Sequence, residues 1–420
     1  MKKLVSLILA ACMLLSLTAV LADEKTTVTV WCWDPAFNLY AMEEAAKIYN
    51  AENPDVVIDI QEVSSDDVQS RLRTYFQEAN STDLPDIILM QDNSGKEFCS
   101  LYADQFVALD DKIDLTQFAS YKIANFADAD GNHYSVPFDN GAAAWFYRAD
   151  VLSECGYTDE DLKDITWDRL IEIGVDVKAK TGKYLLSSQG YGDLVMMMTQ
   201  SAGTWFFDED GDPQLDDEIF EIIIDQCKRI DEAGIVMFEA DWNSYIAAFN
   251  SGEALGTING CWIMASVQLQ PDQSGLWGMT TIPALNCDDA TNYSNQGGSS
   301  WMVLKNGKST DAAVDFLAKT FAGSVELYDI ILPSSSAIAT YLPAAEAPNY
   351  NVENAFFRGQ KVFAELMEYA ANIPAVTYGI YNYDARDAIT AAFEKVLQGA
   401  DVEDALEEAQ QKIEYQIAQN

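Results

Sequence analysis

The chain has 420 residues, 49% of them hydrophobic and 22% charged, with 67 acidic side chains against 25 basic ones and a formal net charge of −42. That length and composition suit two sizeable cores and exclude a chain that is disordered throughout. So acidic a surface repels nucleic acid and anionic lipid, while a cationic small molecule stays open as a ligand.

Residues 1–22, MKKLVSLILAACMLLSLTAVLA, combine Lys2 and Lys3, an apolar run and a small-residue Val20-x-Ala22 site, the layout of a secretory signal. Leu9-Ala10-Ala11-Cys12 also spells a lipoprotein-type box, but the apolar MLLSL that follows is unlike the start of a lipidated mature chain. The protein is expected at the extracellular face of the membrane or in the periplasm, with lipid attachment at Cys12 as the alternative. No later apolar run reaches the roughly 20 residues needed to span a bilayer.

After the leader, Val28, Val30 and Cys32 alternate with Thr27, Thr29, Trp31 and Trp33, which predicts a strand, with Trp31 and Trp33 on one face. Asp34 and Pro35 predict a helix start, and Leu39, Met42, Ala46 and Tyr49 its apolar stripe. Val56–Val63 alternates again, Val68, Leu72, Tyr75 and Ala79 step along a second helix, and Asp86–Met90 reads as a buried parallel strand. This is a βαβαβ half of an open α/β sheet. Ligands bind beyond the carboxyl ends of such strands, where Trp33, Asp34, Gln91 and Asp92 lie, whereas Trp31 is deeper and reads as core. Residues 134–141 interrupt the periodicity before a strand-like Ala144–Tyr147. Helices are predicted from Thr166 to Gly182, from Asp216 to Ala233 (with Ile219, Ile222, Ile223, Cys227 and Ile230 on one side), before a terminal Gly323, and over 384–398 and 402–417.

Several familiar chemistries lack their residues. The single histidine, His133, excludes a multi-histidine metal site and sits in an Asp-Gly turn. Gly307-Lys308-Ser309 has Met302 where a phosphate-binding loop needs its first glycine. Asp208–Pro213 places a proline where a calcium loop needs glycine, so it reads as a hairpin turn. Cys32, Cys99, Cys155, Cys227, Cys261 and Cys287 are scattered and read as free thiols. No cofactor is implied. A two-carboxylate glycosidase stays open only because acidic pairs abound.

Aromatic residues are plentiful instead: nine tryptophans, 20 tyrosines and 19 phenylalanines. Trp205, Trp242, Trp262 and Trp301 stand in polar or glycine-bearing contexts, GTWFF, DWNS, NGCW and GSSW. An indole face matches the C–H face of a pyranose, while carboxylates and amides at its rim bond the hydroxyls. Packing of lobe cores is the competing explanation for each ring.

VTVWCWDPAFN with AAKIYNAENPDVVIDIQEV, LPDIILMQD, DGNHYSVPFDNGAAAWFYRADVLSECGYT with DITWDRLI, FNSGEALGTINGCWI, GGSSWMVLKNGKSTDAAVDFLAKTF and YDARDAITAAFEKVLQG follow one another in the chain. In this order they resemble an extracellular solute-binding protein of family 1, the carbohydrate-capturing component of ABC importers related to maltose-binding protein. The resemblance implies an α/β, two-lobed, periplasmic-binding-protein-like fold (type II), each lobe an open mixed sheet flanked by helices, closing on ligand by a hinge. Lobe 1 would take residues 23–137 and 296–340, and lobe 2 residues 138–295 and 341–420. Pro137-Phe138-Asp139 would be the first crossing and Gly297, Gly298 and Trp301 the return. Trp33, Asp34, Gln91 and Asp92 would face the cleft from lobe 1; Asp139, Trp205, Trp242 and Trp262 from the other side, with Tyr381 and Tyr383 as further candidates. The implied protein is a non-catalytic monomer that traps a mono- or oligosaccharide and delivers it to the permease subunits of an importer. The rival readings are a cationic amine held by an aromatic cage with Asp34, Asp92 or Asp139, and the glycosidase.

Overall fold

A computed structural model describes residues 25–78, 84–208 and 210–419. The leader at 1–22 with Cys12, and Ala79 of the second helical stripe, lie outside the described residues.

The first unit is built as the alternation dictates. Strand β1 (Thr26–Cys32), helix α1 (Tyr40–Glu52), β2 (Val56–Glu62), α2 (Ser65–Glu78) and β3 (Ile87–Gln91) form the expected βαβαβ, with β1 parallel to both β2 and β3. Asp34 does cap the helix start, its Oδ1 accepting from Phe37 N at 3.1 Å. The opening turn is wider than expected, a π-type turn over Pro35–Leu39 in which Leu39 N donates to the Asp34 carbonyl at 3.0 Å. Helix α3 (Asp92–Tyr102) begins directly where β3 ends, and a short helix α4 (Ser120–Ala124) follows.

The break in periodicity at 134–141 is the first half of one 14-residue strand, β4 (Ser135–Arg148). Its partner β9 (Asn295–Val303) runs antiparallel beside it, and register shifts at Pro137/Asp139 and Asn140/Ala142 absorb the irregularity. Bulges bend a strand and re-aim its side chains, which is how a proline and several polar residues fit there.

Beyond the bulges β4 changes partners. From Ala143 to Tyr147 it pairs with β7 (Gly256–Gly260), and from Trp145 to Arg148 with β8 (Trp277–Thr280). The sheet order is therefore β2-β1-β3-β9-β4-β7, with β8 on the other side of β4. A small parallel pair, β5 (Leu186–Ser188) and β6 (Val236–Phe238), lies beside this second half, joined to it by a bridge between Tyr184 and Ala254.

Helices cover both halves. Helix α5 (Trp167–Thr181) has the expected Thr166 cap and a left-handed Gly182 at its end; α6 (Tyr191–Ser201) and α7 (Glu218–Ala233) follow. In α7 the buried stripe is Phe220, Ile223, Ile224, Cys227 and Ile230, so Ile219 and Ile222 lie half-buried at its edge. Helix α8 (Trp242–Ser251) precedes β7. After β9, α9 (Thr310–Lys319) ends at Thr320, earlier than the Gly323 stop, because Phe321 leaves the helix to pack against Phe138 and Trp301. A helix over Val325–Ser335 comes next, followed by helices α10 (Val362–Ala371), α11 (Asn382–Leu397) and α12 (Val402–Ala418).

Strand periodicity of two divides the interior. Along β4, Phe138, Ala142, Ala144 and Phe146 enter a core shared with Val28, Val30, Ile87, Leu89 and Trp301. Ala143, Trp145 and Tyr147 point the other way, toward Trp167, Met197, Ile223 and Phe393. A third core, with Trp31, Ile88, Met90 and Met302, covers the opposite face of the first half. Residues 341–373 pack on the core that spans the crossing; from Tyr378 onward the chain joins the core of the second half.

Where the strands cross, backbone approaches backbone. A Cβ built on Gly141 would stand 2.2 Å from the Gln296 carbonyl oxygen, and backbone cannot yield as a side-chain tip can. Gly141→Ala is expected to cost at least about 2 kcal/mol of stability, read as a lower midpoint in urea denaturation with unchanged slope.

Candidate functional site

The carboxyl ends of β1 and β3, the bulged crossing of β4 and β9, and the end of β7 come together at the junction of the two halves. At its base lies a buried charge network. Lys122, on α4, is fully buried and ion-paired with Asp92, and it also donates to the Asp139 carbonyl at 2.6 Å. Ser300 Oγ donates to Asp92 Oδ1 at 3.1 Å, while Ser299 donates from N (2.9 Å) and Oγ (2.6 Å) to Asp139 Oδ1. Gly298, at φ +102°, roofs this network, and a Cβ there would meet Lys122 Nζ at 2.5 Å. A buried charge needs such partners, because desolvation is only offset by close, hydrogen-bonded counter-groups.

Above the network the halves touch through polar side chains. Asn93 Nδ2 donates to Tyr383 Oη at 3.2 Å, and Tyr383 Oη donates to Gln91 Oε1 at 3.4 Å. Asn382 Nδ2 donates to the Asn93 carbonyl at 2.9 Å, and is itself positioned by Trp205 Nε1, which donates to Asn382 Oδ1 at 2.9 Å. Tyr383 lies under the Arg386 guanidinium, whose carbon is 4.8 Å from the ring centre. Burial pushes the Asp193 carboxyl above its ordinary range, opposed by the Arg386 charge and by the neighbouring Gln296 amide.

Two indoles flank this polar arc. Trp262 Nε1 donates to the Gln296 carbonyl at 2.8 Å, which pins the ring to the crossing strand. Trp242, 38% exposed at the start of α8, lies 5.8 Å from it, centre to centre, with the planes 32° apart. The arrangement offers half-exposed ring surface, amides and one charge of each sign, a chemistry suited to holding a hydroxylated, uncharged molecule. Two further concavities, of about 270 Å³ around Tyr147, Glu365 and Tyr369 and about 500 Å³ around Ile113, Phe118 and His133, are lined by none of the expected site residues.

The description bacterial extracellular solute-binding protein matches residues 44–331. A lactose-binding protein of Rhizobium radiobacter is 37% identical over 99% of this chain and 98% of its own. The chain belongs to the bacterial extracellular solute-binding proteins. Solved relatives share the fold. The GacH receptor of Streptomyces glaucescens GLA.O, determined unliganded and with acarbose, superimposes with a TM-score of 0.76 at 18% identity, covering 93% of this chain and 97% of that one. An ABC transporter associated binding protein of B. animalis subsp. lactis Bl-04, in complex with beta-1,6-galactobiose, gives 0.73 at 18% identity, covering 94% and 98%. The two-lobed α/β architecture of this solute-binding protein is that of these relatives.

The expected site residues of the solute-binding protein separate into three groups. Trp33 is half-buried at the end of β1, Gln91 and Tyr383 meet across the junction, and Trp242, Trp262, Gly297 and Gly298 lie at or beside it. Asp34 is exposed and Tyr381 half-buried at the start of α11. The remaining four are interior. Trp301 has no exposure and packs between Phe138 and Phe321; Trp205 is buried and stacked on Tyr378; Asp92 and Asp139 are locked beneath Gly298. Trp301 and Trp205 therefore act by packing and positioning, since neither presents a face to solvent. Trp31 is core, as expected, but in a different core from the one under Trp33, because β1 ends at Cys32 and the chain turns there.

Asn93, Gln296, Asp193, Arg386 and Lys122 escaped the sequence reading. Asn93 and Gln296 neighbour expected positions and could have been reached by the same strand-end argument. Asp193, Arg386 and Lys122 lie on helices and no local pattern marks them. Elsewhere, Asp208–Pro213 is the expected turn, closed by Asp208 N on the Asp212 carbonyl at 2.9 Å, with Glu209 outside the described residues. His133 contacts Asp110, Nδ1 to Oδ1 2.6 Å, and the six cysteines are free.

Burial pushes Asp139 up to about 6, against the pull of Lys122 and the Ser299 hydrogen bonds. A carboxyl with a raised folded pKa binds its proton more tightly when folded, so this group's contribution to stability falls as pH rises from about 4 through 6. Asp139→Asn can accept the same Ser299 hydrogen bonds and cannot ionise. Urea denaturation at pH 4 and pH 7 should show the variant gaining up to about 3 kcal/mol on the parent across that interval.

Proposed function

We propose that this exported protein is the receptor of an ABC importer, trapping a neutral mono- or oligosaccharide at the junction of its two lobes and presenting the closed form to the permease subunits. The reading takes the lobes as 23–137 with 296–340 and 138–295 with 341–420, adjusted so that 341–373 travels with the crossing core, and takes the receptor as a monomer. The leader at 1–22 carries it out of the cell, with or without a lipid on Cys12.

The observation that carries this reading is the Trp262–Trp242 pair at the edge of the polar arc. Trp262 has its N–H already satisfied by the crossing strand, so what it offers a ligand is ring surface. A pinned indole loses little freedom on binding and gives a sugar face a preorganised platform. Full-length identity of 37% to a lactose-binding relative points to a disaccharide with a galactose unit as the first ligand to try. Closure follows if the ligand's contacts are better when both halves hold it, and the arc draws groups from both.

The amine reading is less well supported. Its cage acids are committed elsewhere: Asp92 is paired with Lys122, Asp139 is buried under Ser299, and Asp34 caps Phe37. Arg386 adds a positive charge where a cation would have to sit.

Calorimetry against lactose, maltose, galactose, beta-1,6-galactobiose and spermidine tests the reading. One of the sugars should bind with little change between low and high salt. Trp262→Ala should weaken it by about 2 kcal/mol, roughly 30-fold. Salt-sensitive binding of spermidine with no response to any sugar would replace this reading with the amine one.

A further inference from the structure

Two buried side-chain amides at the junction have oxygens without a hydrogen-bond partner. Asn93 donates through Nδ2 to Tyr383, while its buried Oδ1 has no partner. Gln296 lies close to Asp193, and its buried Oε1 is likewise without a hydrogen-bond partner. Asn93 is 5% exposed and Gln296 8%. Turning the Asn93 amide over would bring its oxygen to the Tyr383 hydroxyl only at the cost of the bond that hydroxyl donates to Gln91. A buried acceptor in that position weakens the empty protein, because it has lost water and gained nothing.

The two are ends of one arc. From Asn93 it runs through Tyr383, the Arg386 guanidinium over that ring and Asp193 to Gln296, whose backbone carbonyl holds Trp262. Arg386 also pairs with Asp387 on its outer side. One end belongs to the first half of the sheet, at the start of α3, and the other to the return strand β9. Arg386 in the middle opposes a cationic ligand and Asp193 an anionic one. What suits two fixed acceptors flanked by balanced charge is an uncharged molecule carrying O–H donors.

We infer that Asn93 Oδ1 and Gln296 Oε1 are the acceptors for two different hydroxyl groups of the ligand, so that a bound sugar spans the arc and the site selects for hydroxyl donors at those two positions. This rests on the sugar-receptor reading above. A deoxy, fluoro or methoxy group at either position cannot donate, and a site built around buried acceptors discriminates strongly against such analogues.

The test is a coupling measurement. Wild type, Gln296→Met and Asn93→Leu are titrated by calorimetry with the tightest-binding sugar of the panel above and with its complete set of monodeoxy analogues. Gln296→Met should bind the parent sugar at least tenfold more weakly than wild type. For one deoxy analogue that difference should vanish, since the hydroxyl accepted by Gln296 is already gone. Asn93→Leu should show the same cancellation with a different analogue; its lost contact to Tyr383 affects all the sugars alike and drops out of the comparison. The ligand-free melting temperature of Gln296→Met should be unchanged or higher, which a purely structural glutamine would not give. If a variant loses the same factor with every analogue, its amide does not accept from the ligand and the inference is overturned for that residue. If wild type binds no sugar of the panel, the receptor reading itself fails, and this inference with it.

Discussion

The antiparallel pairing of two strands across the junction, one of which goes on to new partners, is the constraint on which the molecule depends. β4 and β9 run side by side from the first half of the sheet into the crossing, where β4 passes to new partners. A strand pair can bend in this way only where side chains do not intervene, so the Gln296 carbonyl sits against the space a Cβ on Gly141 would fill. That close approach brings the ends of β1, β3 and β7 to one place. Had the crossing been wider, Trp262 could not reach the carbonyl that pins it.

The polar groups at this place form two layers with different work. The lower layer, Lys122 with Asp92, Asp139, Ser299 and Ser300, is inaccessible and nearly self-satisfying; it ties α4, the end of β3 and both crossing strands into one piece. The upper layer, from Asn93 to Gln296, is buried at its two ends, half-buried between them and incomplete, with two acceptors unmatched. A completed network rigidifies a structure, while an incomplete one at the edge of a junction leaves bonding capacity for a ligand. Acidic residues occur in both layers, Asp92 and Asp139 below and Asp193 above, and their partners separate their roles.

The excess of acidic residues belongs mostly to the outside of the protein. A formal charge of −42 keeps such a surface solvated and unfriendly to polyanions. At the junction, by contrast, charges come as opposed pairs, Lys122 with Asp92 and Arg386 near Asp193. A neutral ligand can enter such a site without adding an uncompensated charge to it.

The amino-acid sequence by itself determined the local architecture of this solute-binding protein. Periodicity of two in Val28–Cys32, the continuous apolar run Ile87–Met90, periodicity near 3.6 in the intervening helices, and the caps at Asp34 and Thr166 are short-range effects, legible from neighbouring residues along the chain. The strand-end rule found Gln91, and the glycine-bearing context of Trp262 marked a ring held near backbone. Only the tertiary structure decided which tryptophans face outward, because Trp301 and Trp262 have similar local sequences, GSSW and NGCW, and differ by what the far chain lays over them. Only it joined 134–141 into a continuous strand, since the partner that stabilises that irregular stretch lies some 160 residues away at Ser299. The same reason hid Lys122, Asp193 and Arg386: a charge becomes part of a site through neighbours distant in sequence, and no local pattern records them.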